Sequence, residues 1–391
     1  MNIVPLLSLP SVEDDLERLE PVLRQSVRCG DPFLDEVVCH LVDAGGKRVR
    51  PGLALAAATA DGRPASPEDL LGGVAVELVH LASLYHDDVM DEATMRRNVS
   101  SVNARWGNLV AIVAGDFLLA RSAEIAAGLG AEIAGLLAHT LGELCRGQVH
   151  EVQAAYRTDR SEADYLATIA GKTAALMATS CRIGALTAGL PTDQVEALTA
   201  FGQRFGMVFQ LRDDVLDVIG TEAELGKPPG QDLAEGIYTL PVLAALADDE
   251  HGGVLGPMLG QPLDPDRRDE ARAVVAASRG IAAAVERGER FAAEACEAAA
   301  GLSDRRLRNA LVALSNAMLD GLRHEGRSAA ALARPGAGRR CASADGNSVT
   351  PGRSPTTAGD RGAPEDRGAP PGVPVGSSPA AAAPVGNYGN Y

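Results

Sequence analysis

The sequence predicts an all-α domain, and three observations lead to this fold class. Alanine and leucine dominate residues 1–334, and both residue types favour helices. Signals that start helices recur along this part of the chain. No stretch alternates apolar and polar residues with the enrichment in β-branched and aromatic side chains that strands show. We therefore expect helices packed on helices throughout residues 1–334.

Two of the predicted helices are apolar almost all round. The first begins at Ser66, an N-cap residue followed by a proline and two acidic residues, and its apolar run continues to about Met90. The second begins at Thr192, and another helix has a similar start at Ser161. Helices without a polar face are buried. Because both apolar helices end in carboxylates, the sequence predicts a cavity with charged groups at its mouth.

Composition excludes several classes of protein. The 391 residues carry a net charge of −16, which argues against a protein that coats nucleic-acid phosphates. No run of 18 apolar residues occurs, so we expect no transmembrane helix. The six cysteines form no CxxC pair, which favours free thiols in a reducing compartment. The first ten residues lack the features of a signal peptide, and we expect a cytoplasmic protein.

Residues 335–391 differ sharply from the rest of the chain. They contain nine prolines and eleven glycines among 57 residues, and no Leu, Ile, Phe, Met or Trp. Such a segment cannot bury enough apolar surface to offset the entropy of ordering it. The sequence thus predicts an all-α catalytic domain over residues 1–334 and a disordered tail, rich in Pro, Gly and Ala, over residues 335–391.

Each apolar helix carries the same acidic pattern near its end, DDVMD from Asp87 to Asp91 and DDVLD from Asp213 to Asp217. The first and last aspartates are four residues apart, so on a helix they share one face, roughly 5.4 Å from each other. Carboxylates this close repel unless a cation lies between them. Mg²⁺ prefers one or two protein carboxylates and completes its shell with water and phosphate oxygens. One such motif is weak, because acidic helix ends are common, but two copies favour a metal site.

Basic residues lie near these carboxylates in the sequence. Lys47, Arg48 and Arg50 follow a glycine pair, while Arg96 and Arg97 follow the first acidic motif. Proteins hold a diphosphate between a metal ion on one side and Arg and Lys donors on the other. The pattern therefore predicts a diphosphate site beside the metal.

Six motifs follow one another along the chain: GGKRVRP, LYHDDVMDEATMRRN, GDFLLARS, GKT, FQLRDDVLD and LGKPPGQDL. With them, the chain resembles the trans-isoprenyl diphosphate synthases, or polyprenyl synthetases, over about residues 20–325. The resemblance implies an isoprenoid-synthase-type helical bundle around a deep central apolar cavity. It further implies a homodimer and a Mg²⁺-dependent prenyltransferase, which condenses isopentenyl diphosphate with an allylic diphosphate into an all-trans polyprenyl diphosphate.

The resemblance also assigns roles to positions in this sequence. The implied Mg²⁺ ligands are Asp87, Asp91, Asp213 and, in support, Asp217; the first three and Lys172 are the implied catalytic residues. Isopentenyl diphosphate is expected to bind Lys47, Arg50, His80 and Arg97. The allylic diphosphate is expected to contact Arg96, Lys172, Thr173, Gln210 and Lys227. One departure is Ile237, which stands where many members have a second lysine, and it leaves one cation fewer near the leaving group.

Product length and proton transfer depend on the first apolar helix. Ala82 and Ser83 lie one turn before Asp87, deeper along the expected cavity wall. Bulky aromatic residues there would form a floor, as in family members that stop at fifteen carbons, so we expect a product of at least twenty carbons. For the two histidines of this helix we expect substrate binding by His80 and a structural pairing by His86, and a general-base role for neither.

Three other functions are compatible with parts of the pattern. A class I terpene cyclase shares the fold and the first aspartate motif but replaces the second, which is intact here. A non-catalytic subunit of a heteromeric synthase usually loses one aspartate motif, and this chain keeps both. A purely structural helical bundle explains poorly why so many charged groups lie on apolar helices.

Overall fold

The structure is a computed structural model, and it describes residues 4–7, 9–59, 62–225 and 228–332. These residues fold almost wholly as helices, so the predicted all-α class is confirmed. The predicted tail at residues 335–391 lies outside the described residues, as does Lys227, an expected ligand of the allylic diphosphate.

The first half of the chain forms eight helices and a short hairpin. In order they are α1 (Val4–Leu7), α2 (Pro10–Ser26), α3 (Pro32–Asp43), α4 (Val49–Ala58), α5 (Pro67–Met90), β1 (Met95–Arg96), β2 (Val99–Ser100), α6 (Val102–Trp106), α7 (Asn108–Leu129) and α8 (Ala131–Ala154).

The second half continues as helices with two irregular turns. In order they are α9 (Glu162–Ile169), a π-helical turn (Ala170–Ala174), α10 (Ala175–Thr187), α11 (Thr192–Ile219), α12 (Glu222–Leu225), α13 (Gln231–Ala234), α14 (Leu240–Leu246), α15 (Gly252–Leu255), a 3₁₀ turn (Gly256–Met258), α16 (Pro265–Ala277), α17 (Gly280–Ala300) and α18 (Arg305–Leu332). Among the described helices, none has the length and apolar character that crossing a membrane requires.

The two apolar helices lie at the centre, as their sequences predict. Helix α5 packs against α2, α4, α7 and α10, and helix α11 packs against α10, α17 and α18. Helix α10 lies between α4 and α11 at short range, because it meets each of them at a glycine. A Cβ atom on Gly184 would lie 2.0 Å from the Ala54 carbonyl oxygen, and one on Gly202 would lie 2.7 Å from the Met177 carbonyl oxygen.

The predicted helix starts are confirmed with one difference. Ser66 accepts from the backbone N–H of Asp69, and the Asp69 side chain accepts from the Ser66 N–H, which completes a capping box. Ser161 likewise accepts from the backbone N–H of Asp164. Thr192 is the first residue of α11, and Pro191 before it makes no side-chain cap.

One small feature was not predicted, the hairpin of β1 and β2. Its turn residues Arg97 and Asn98 have φ angles of 53° and 63°. Two successive residues with positive φ form the turn that best matches the twist of a two-residue hairpin. The hairpin places Arg97 close to the loop before α4.

Candidate active site

The first acidic motif lies at the C-terminal end of α5. The backbone N–H of Asp91 donates to the Asp87 carbonyl at 2.8 Å, so these residues are one turn apart, as expected. Burial raises the pKa of Asp87 to about 6, although the Lys172 ammonium acts against it, and the Asp91 charge raises it further. The buried Asp88 accepts instead from Arg96 Nε, at 2.7 Å. Arg96, an expected substrate ligand, is therefore held in place by a carboxylate.

The second acidic motif lies near the C-terminal end of α11. Asp213 is exposed, whereas Asp214 and Asp217 are buried. The carboxylate of Asp217 accepts from the Asp232 backbone N–H at 3.2 Å, and its carbonyl accepts from the Gly230 N–H at 2.7 Å. These contacts tie α11 to the start of α13. Asp217, an expected supporting metal ligand, thus also anchors the loop beside the site.

Arg50 lies within the electrostatic field of both motifs. Burial lowers its pKa, and the charges of Glu77, then Asp213 and Asp87, oppose this effect without reversing it. Its Nε atom is buried and donates to no group among the described residues. A half-buried guanidinium with a spare donor near two acidic motifs is suited to an anion such as diphosphate.

Lys172 lies on the π-helical turn between α9 and α10. Turns of this kind often mark functional sites. A Cβ atom on Gly147 of α8 would lie 2.5 Å from the Lys172 backbone nitrogen, so only glycine allows this approach. The ammonium of Lys172 donates to Glu151, one turn further along α8. Burial lowers the pKa of Lys172, but the charges of Glu151 and Asp87 raise it more, and the net direction is upward.

The next residue, Thr173, is hydrogen-bonded to Gln210, and both are expected ligands of the allylic diphosphate. Its hydroxyl donates to Gln210 Oε1 at 2.7 Å, and Gln210 Nε2 donates to Asp214 Oδ1 at 2.8 Å. Asp214 also accepts from the Tyr165 hydroxyl. Burial raises the pKa of Asp214 to about 7, although both hydrogen bonds lower it.

The three cations around the start of α4 have different surroundings. Lys47 is exposed, while Arg48 turns inward with a φ of 44°. Arg48 donates to Glu20 at 2.6 Å and to Glu77 of α5 at 2.8 Å. Since both partners are carboxylates of this chain, Arg48 stabilises the loop, and Lys47 and Arg50 remain for a ligand.

Arg97 and His80 lie next to this loop. Arg97 donates to the Leu41 carbonyl at 3.0 Å and to the Gly45 carbonyl, and lies 3.9 Å from Glu77. Burial lowers the pKa of His80 well below its ordinary value, and the charges of Arg50 and Arg97 lower it further. The imidazole of His80 is therefore neutral near pH 7.

A cavity of about 570 Å³ opens between the ends of α5, α8, α9 and α11. The expected ligands that line it are Asp91, Arg96, Lys172, Thr173 and Gln210. Other charged or polar residues in its wall are Glu92, Thr94, Glu151, Arg160, Tyr165, Thr168, Asp214, Gln231, Asp232, Glu235 and Thr239. The wall of this cavity is therefore rich in charged and polar groups.

Three further residues of α5, Ala82, Ser83 and His86, do not line this cavity. Ala82 is fully buried in the apolar core, and Ser83 is half-buried with its hydroxyl donating to the His80 carbonyl at 2.8 Å. His86 Nε2 lies 3.2 Å from the Ile112 carbonyl oxygen and 3.6 Å from Asp116 Oδ1. These contacts join α5 to α7 and agree with the expected structural pairing of His86.

The donor set fits Mg²⁺ that binds together with a diphosphate. Among the described residues, no three His, Cys, Asp or Glu side chains are grouped closely enough to hold an ion by themselves. Mg²⁺ needs only one or two protein carboxylates when phosphate oxygens and water supply its other ligands. Burial is the main cause of the raised pKa of Asp87 and the Asp91 charge adds to it, and a bound cation would favour the ionised carboxylate against both.

Several residues of the site were missed by the sequence reasoning. They are Glu77, Asp88, Glu151, Arg160, Tyr165 and Asp214. Asp88 and Asp214 carried a signal, since each is the second aspartate of an acidic motif. The others pair with partners far away in sequence, and no local pattern marks them.

Acidic motifs at the ends of two buried central helices, with cations around them, define an enzyme of the all-α isoprenoid synthase class. The polyprenyl synthetase family model matches residues 31–277. Nonaprenyl diphosphate synthase of Mycobacterium tuberculosis is 38% identical over 306 residues, which cover 78% of this chain and 91% of that protein. The chain belongs to the polyprenyl synthetase family and is a prenyltransferase.

Two further relatives add detail. Heptaprenyl diphosphate synthase component 2 of Geobacillus stearothermophilus is 46% identical over 239 residues, which cover 61% of this chain and 74% of that protein. The solved structure of geranylgeranyl pyrophosphate synthase from Corynebacterium glutamicum, complexed with calcium and isoprenyl diphosphate, superposes with a TM-score of 0.70. It is 38% identical, and the match covers 79% of this chain and 95% of that one.

Proposed function

We propose that this enzyme condenses isopentenyl diphosphate with an allylic diphosphate in a Mg²⁺-dependent reaction and makes an all-trans polyprenyl diphosphate of at least twenty carbons. One observation carries the proposal. Lys172 and Arg50 both interact electrostatically with Asp87, and Arg50 also interacts with Asp213. The two cations and the carboxylates of both acidic motifs therefore lie within electrostatic range of one another. Binding of a metal-bridged diphosphate requires such an arrangement.

The reaction begins when the allylic C–O bond breaks and the electron pair leaves with the diphosphate. Mg²⁺, when bound at Asp87, Asp91 and Asp213 with Asp217 in support, supplies positive charge for the leaving group. Lys172, oriented by Glu151, adds a cation on the same side. The double bond of isopentenyl diphosphate then attacks the allylic cation, and loss of one proton to the released diphosphate completes the extension.

The second substrate fits the loop before α4. Lys47, Arg50 and Arg97 provide donors for its diphosphate, and neutral His80 adds a hydrogen bond without a charge. The apolar core formed by α5, α10 and α11 keeps water away from the cation. The Lys227 ammonium and Arg96 complete the proposed contacts to the allylic diphosphate.

Product length is proposed to depend on the small residues Ala82 and Ser83. The Ser83→Phe variant should shorten the longest product, because an aromatic ring one turn below Asp87 would block the path of the growing product. Ala82→Phe serves as the second variant, with a larger loss of stability, because Ala82 is fully buried. An unchanged distribution of chain lengths in folded samples of both variants would contradict this proposal.

A homodimer is proposed through the outer face of α7 and α8. Exposed apolar side chains lie near the start of α7 and near the end of α8: Leu109, Ile112, Val113, Val149 and Val152. Exposed apolar surface of this kind is typical of a protein interface. The full chain should have twice the 40.4 kDa monomer mass by light scattering, and Val113→Arg should halve it. Val254→Arg, on a similarly exposed valine of α15, should leave the dimer intact. A monomeric wild type would contradict the proposed homodimer.

The test of activity uses the purified full chain with Mg²⁺, isopentenyl diphosphate and geranyl, farnesyl or geranylgeranyl diphosphate. We expect elongation and, after dephosphorylation, all-trans products of at least twenty carbons. Asp213→Asn should lower the rate by at least about 100-fold, while Asp249→Asn in an exposed loop should not. No elongation with any primer would contradict the proposal.

The name "component 2" of the Geobacillus stearothermophilus relative motivates a second candidate, a chain that works only with a different partner subunit. Absence of elongation by the purified chain, followed by elongation after a partner protein is added, would favour this candidate. Elongation by the chain alone would exclude it, and a cyclic hydrocarbon product would indicate a terpene cyclase instead.

A further inference from the structure

Four side chains in the cavity wall form one hydrogen-bonded chain. It runs from Thr173 to Gln210 at 2.7 Å, from Gln210 to Asp214 at 2.8 Å, and from Tyr165 to the other oxygen of Asp214. All four line the cavity. Asp214 and Tyr165 are buried, with 3% and 1% of their surface exposed.

The Asp214 carboxylate fixes the direction of every donor in this chain. Both of its oxygens accept, Oδ1 from Gln210 Nε2 and Oδ2 from the Tyr165 hydroxyl, so Gln210 turns its amide N–H toward Asp214. The carbonyl oxygen of Gln210 then faces Thr173. Because that oxygen needs a donor, the single hydroxyl hydrogen of Thr173 points at Gln210, and the lone pairs of Thr173 Oγ1 remain for the cavity.

The Tyr165 hydroxyl donates to Asp214, and the Tyr165 ring lies beside a fixed cation. The guanidinium of Arg160 lies 5.6 Å from the centre of the Tyr165 ring. Arg160 is itself fixed by hydrogen bonds to Thr168 Oγ1 at 2.6 Å and to the Tyr238 carbonyl at 3.3 Å. Leaving the buried hydroxyl of Tyr165 without an acceptor would be costly.

Resting on the proposed function, we infer that Asp214 and Tyr165 are positioning residues, which keep the Thr173 hydroxyl turned as an acceptor toward the allylic carbons. When the C–O bond breaks, positive charge develops on those carbons, and an oxygen lone pair stabilises it. A Thr173 hydroxyl turned the other way would present its hydrogen and destabilise the same charge. The polarity of the chain therefore acts on the ionisation step and not on substrate binding.

The Asp214→Asn variant should reverse the donor and acceptor directions along this series of hydrogen bonds. The buried Tyr165 hydroxyl still needs an acceptor, so the carbonyl of the introduced side-chain amide faces Tyr165 and its N–H faces Gln210. Gln210 then flips, and the Thr173 hydroxyl hydrogen turns to the cavity. We expect kcat to fall by about 100-fold, the KM values of both substrates to stay within about threefold, and the thermal midpoint to change little.

Adding Tyr165→Phe to this variant should restore activity. Without the tyrosine hydroxyl, the introduced amide is free to turn its carbonyl to Gln210, and the original polarity returns. We expect kcat of the double variant to exceed that of Asp214→Asn by at least about tenfold, while Tyr165→Phe alone loses about threefold. Asp214→Asn and the double variant lack the same negative charge, so a charge effect on bound Mg²⁺ predicts no recovery.

Thr173→Val and Thr173→Ser give a test that does not depend on Asp214. The valine has nearly the same shape but no lone pairs, and we expect its kcat to fall while serine retains most of it. Binding gives a second readout: a tertiary-ammonium analogue of the allylic cation, with inorganic diphosphate and Mg²⁺, should lose affinity in Asp214→Asn, whereas its neutral carbon analogue should not.

The outcomes separate this inference from the proposed function. A wild type that does not elongate any primer refutes the proposed function. An active wild type with no recovery in the double variant, or with wild-type kcat in Thr173→Val, overturns the inference alone.

Discussion

Gly46 and Arg97 are in direct contact although 51 positions separate them in the chain: a Cβ atom on Gly46 would lie 2.9 Å from the guanidinium carbon of Arg97. Arg97 is also bonded to the carbonyls of Leu41 and Gly45. The hairpin after the first acidic motif is thereby fastened to the loop that carries Lys47. Two motifs that are far apart in sequence form one surface.

Replacing Gly46 by alanine should displace the Arg97 guanidinium. Because Arg97 is tied to two carbonyls, it cannot move away without losing a hydrogen bond, at a cost of about 1 kcal/mol. We expect the KM for isopentenyl diphosphate to rise by about tenfold, equivalent to roughly 1.4 kcal/mol, with little change in the KM for the allylic substrate. Steady-state kinetics with each substrate varied would measure this, and Gly253→Ala, at an open position, is the control. Equal increases in both KM values would show that Gly46 does not act through Arg97.

Replacing Glu77 by glutamine should destabilise the protein. Glu77 is 1% exposed and pairs with the buried Arg48, so the variant leaves a buried guanidinium with only Glu20 as its carboxylate partner. Breaking a buried pair on one side costs about 3 kcal/mol. Urea unfolding should report this loss. In Glu36→Gln, which breaks the exposed pair with Arg105, the loss should stay below about 1 kcal/mol; similar losses in both would refute the assignment.

Replacing Gly147 by alanine should disturb the π-helical turn. The added Cβ would lie 2.5 Å from the Lys172 backbone nitrogen and 3.0 Å from the Thr168 carbonyl oxygen, and backbone atoms cannot turn aside as a side chain can. Displacing the turn moves Lys172 and Thr173 together, so we expect kcat to fall by about 100-fold. Gly142→Ala on the same helix, where nothing lies within 4 Å, should retain activity. Near-normal kcat in Gly147→Ala would mean that the turn does not position these residues.

Replacing His80 by glutamine should change affinity without changing pH dependence. Burial and the neighbouring arginines lower the pKa of His80 well below 6.5, so the imidazole is neutral at pH 6.5 and above and gains its proton only in more acidic solution. We expect the KM for isopentenyl diphosphate to rise. The plots of kcat/KM against pH for the variant and the wild type should run parallel between about pH 6.5 and 8. Loss of a titration near pH 6.5 in the variant alone would contradict a neutral His80.

Much of the fold could be read from local sequence. The apolar character of α5 and α11, the capping box at Ser66 and the spacing of the two acidic motifs each depend on residues within a few helical turns. Helical periodicity places residues four apart on one face wherever the helix packs. The all-α class and the joint presence of carboxylates and cations followed from these local patterns.

The partners of the charged groups could not be read in this way. The sequence places Lys47, Arg48 and Arg50 together as cations, but only packing against α5 turns Arg48 toward Glu77. Likewise Tyr165 and Asp214 are separated by 49 positions and meet because α9 and α11 line the same cavity. Desolvation, which sets the pKa of Asp87, Asp214 and His80, is a property of the assembled core.

The sequence by itself thus determined which helices form, which of them are buried and which residue types carry the chemistry, because helix propensity, capping and periodicity are local. The tertiary structure decided which cations face a substrate, which are neutralised by the chain's own carboxylates, and in which direction the Thr173 hydroxyl points. Those choices depend on contacts between helices far apart in the chain and on the exclusion of water, and neither is encoded in any short stretch of residues.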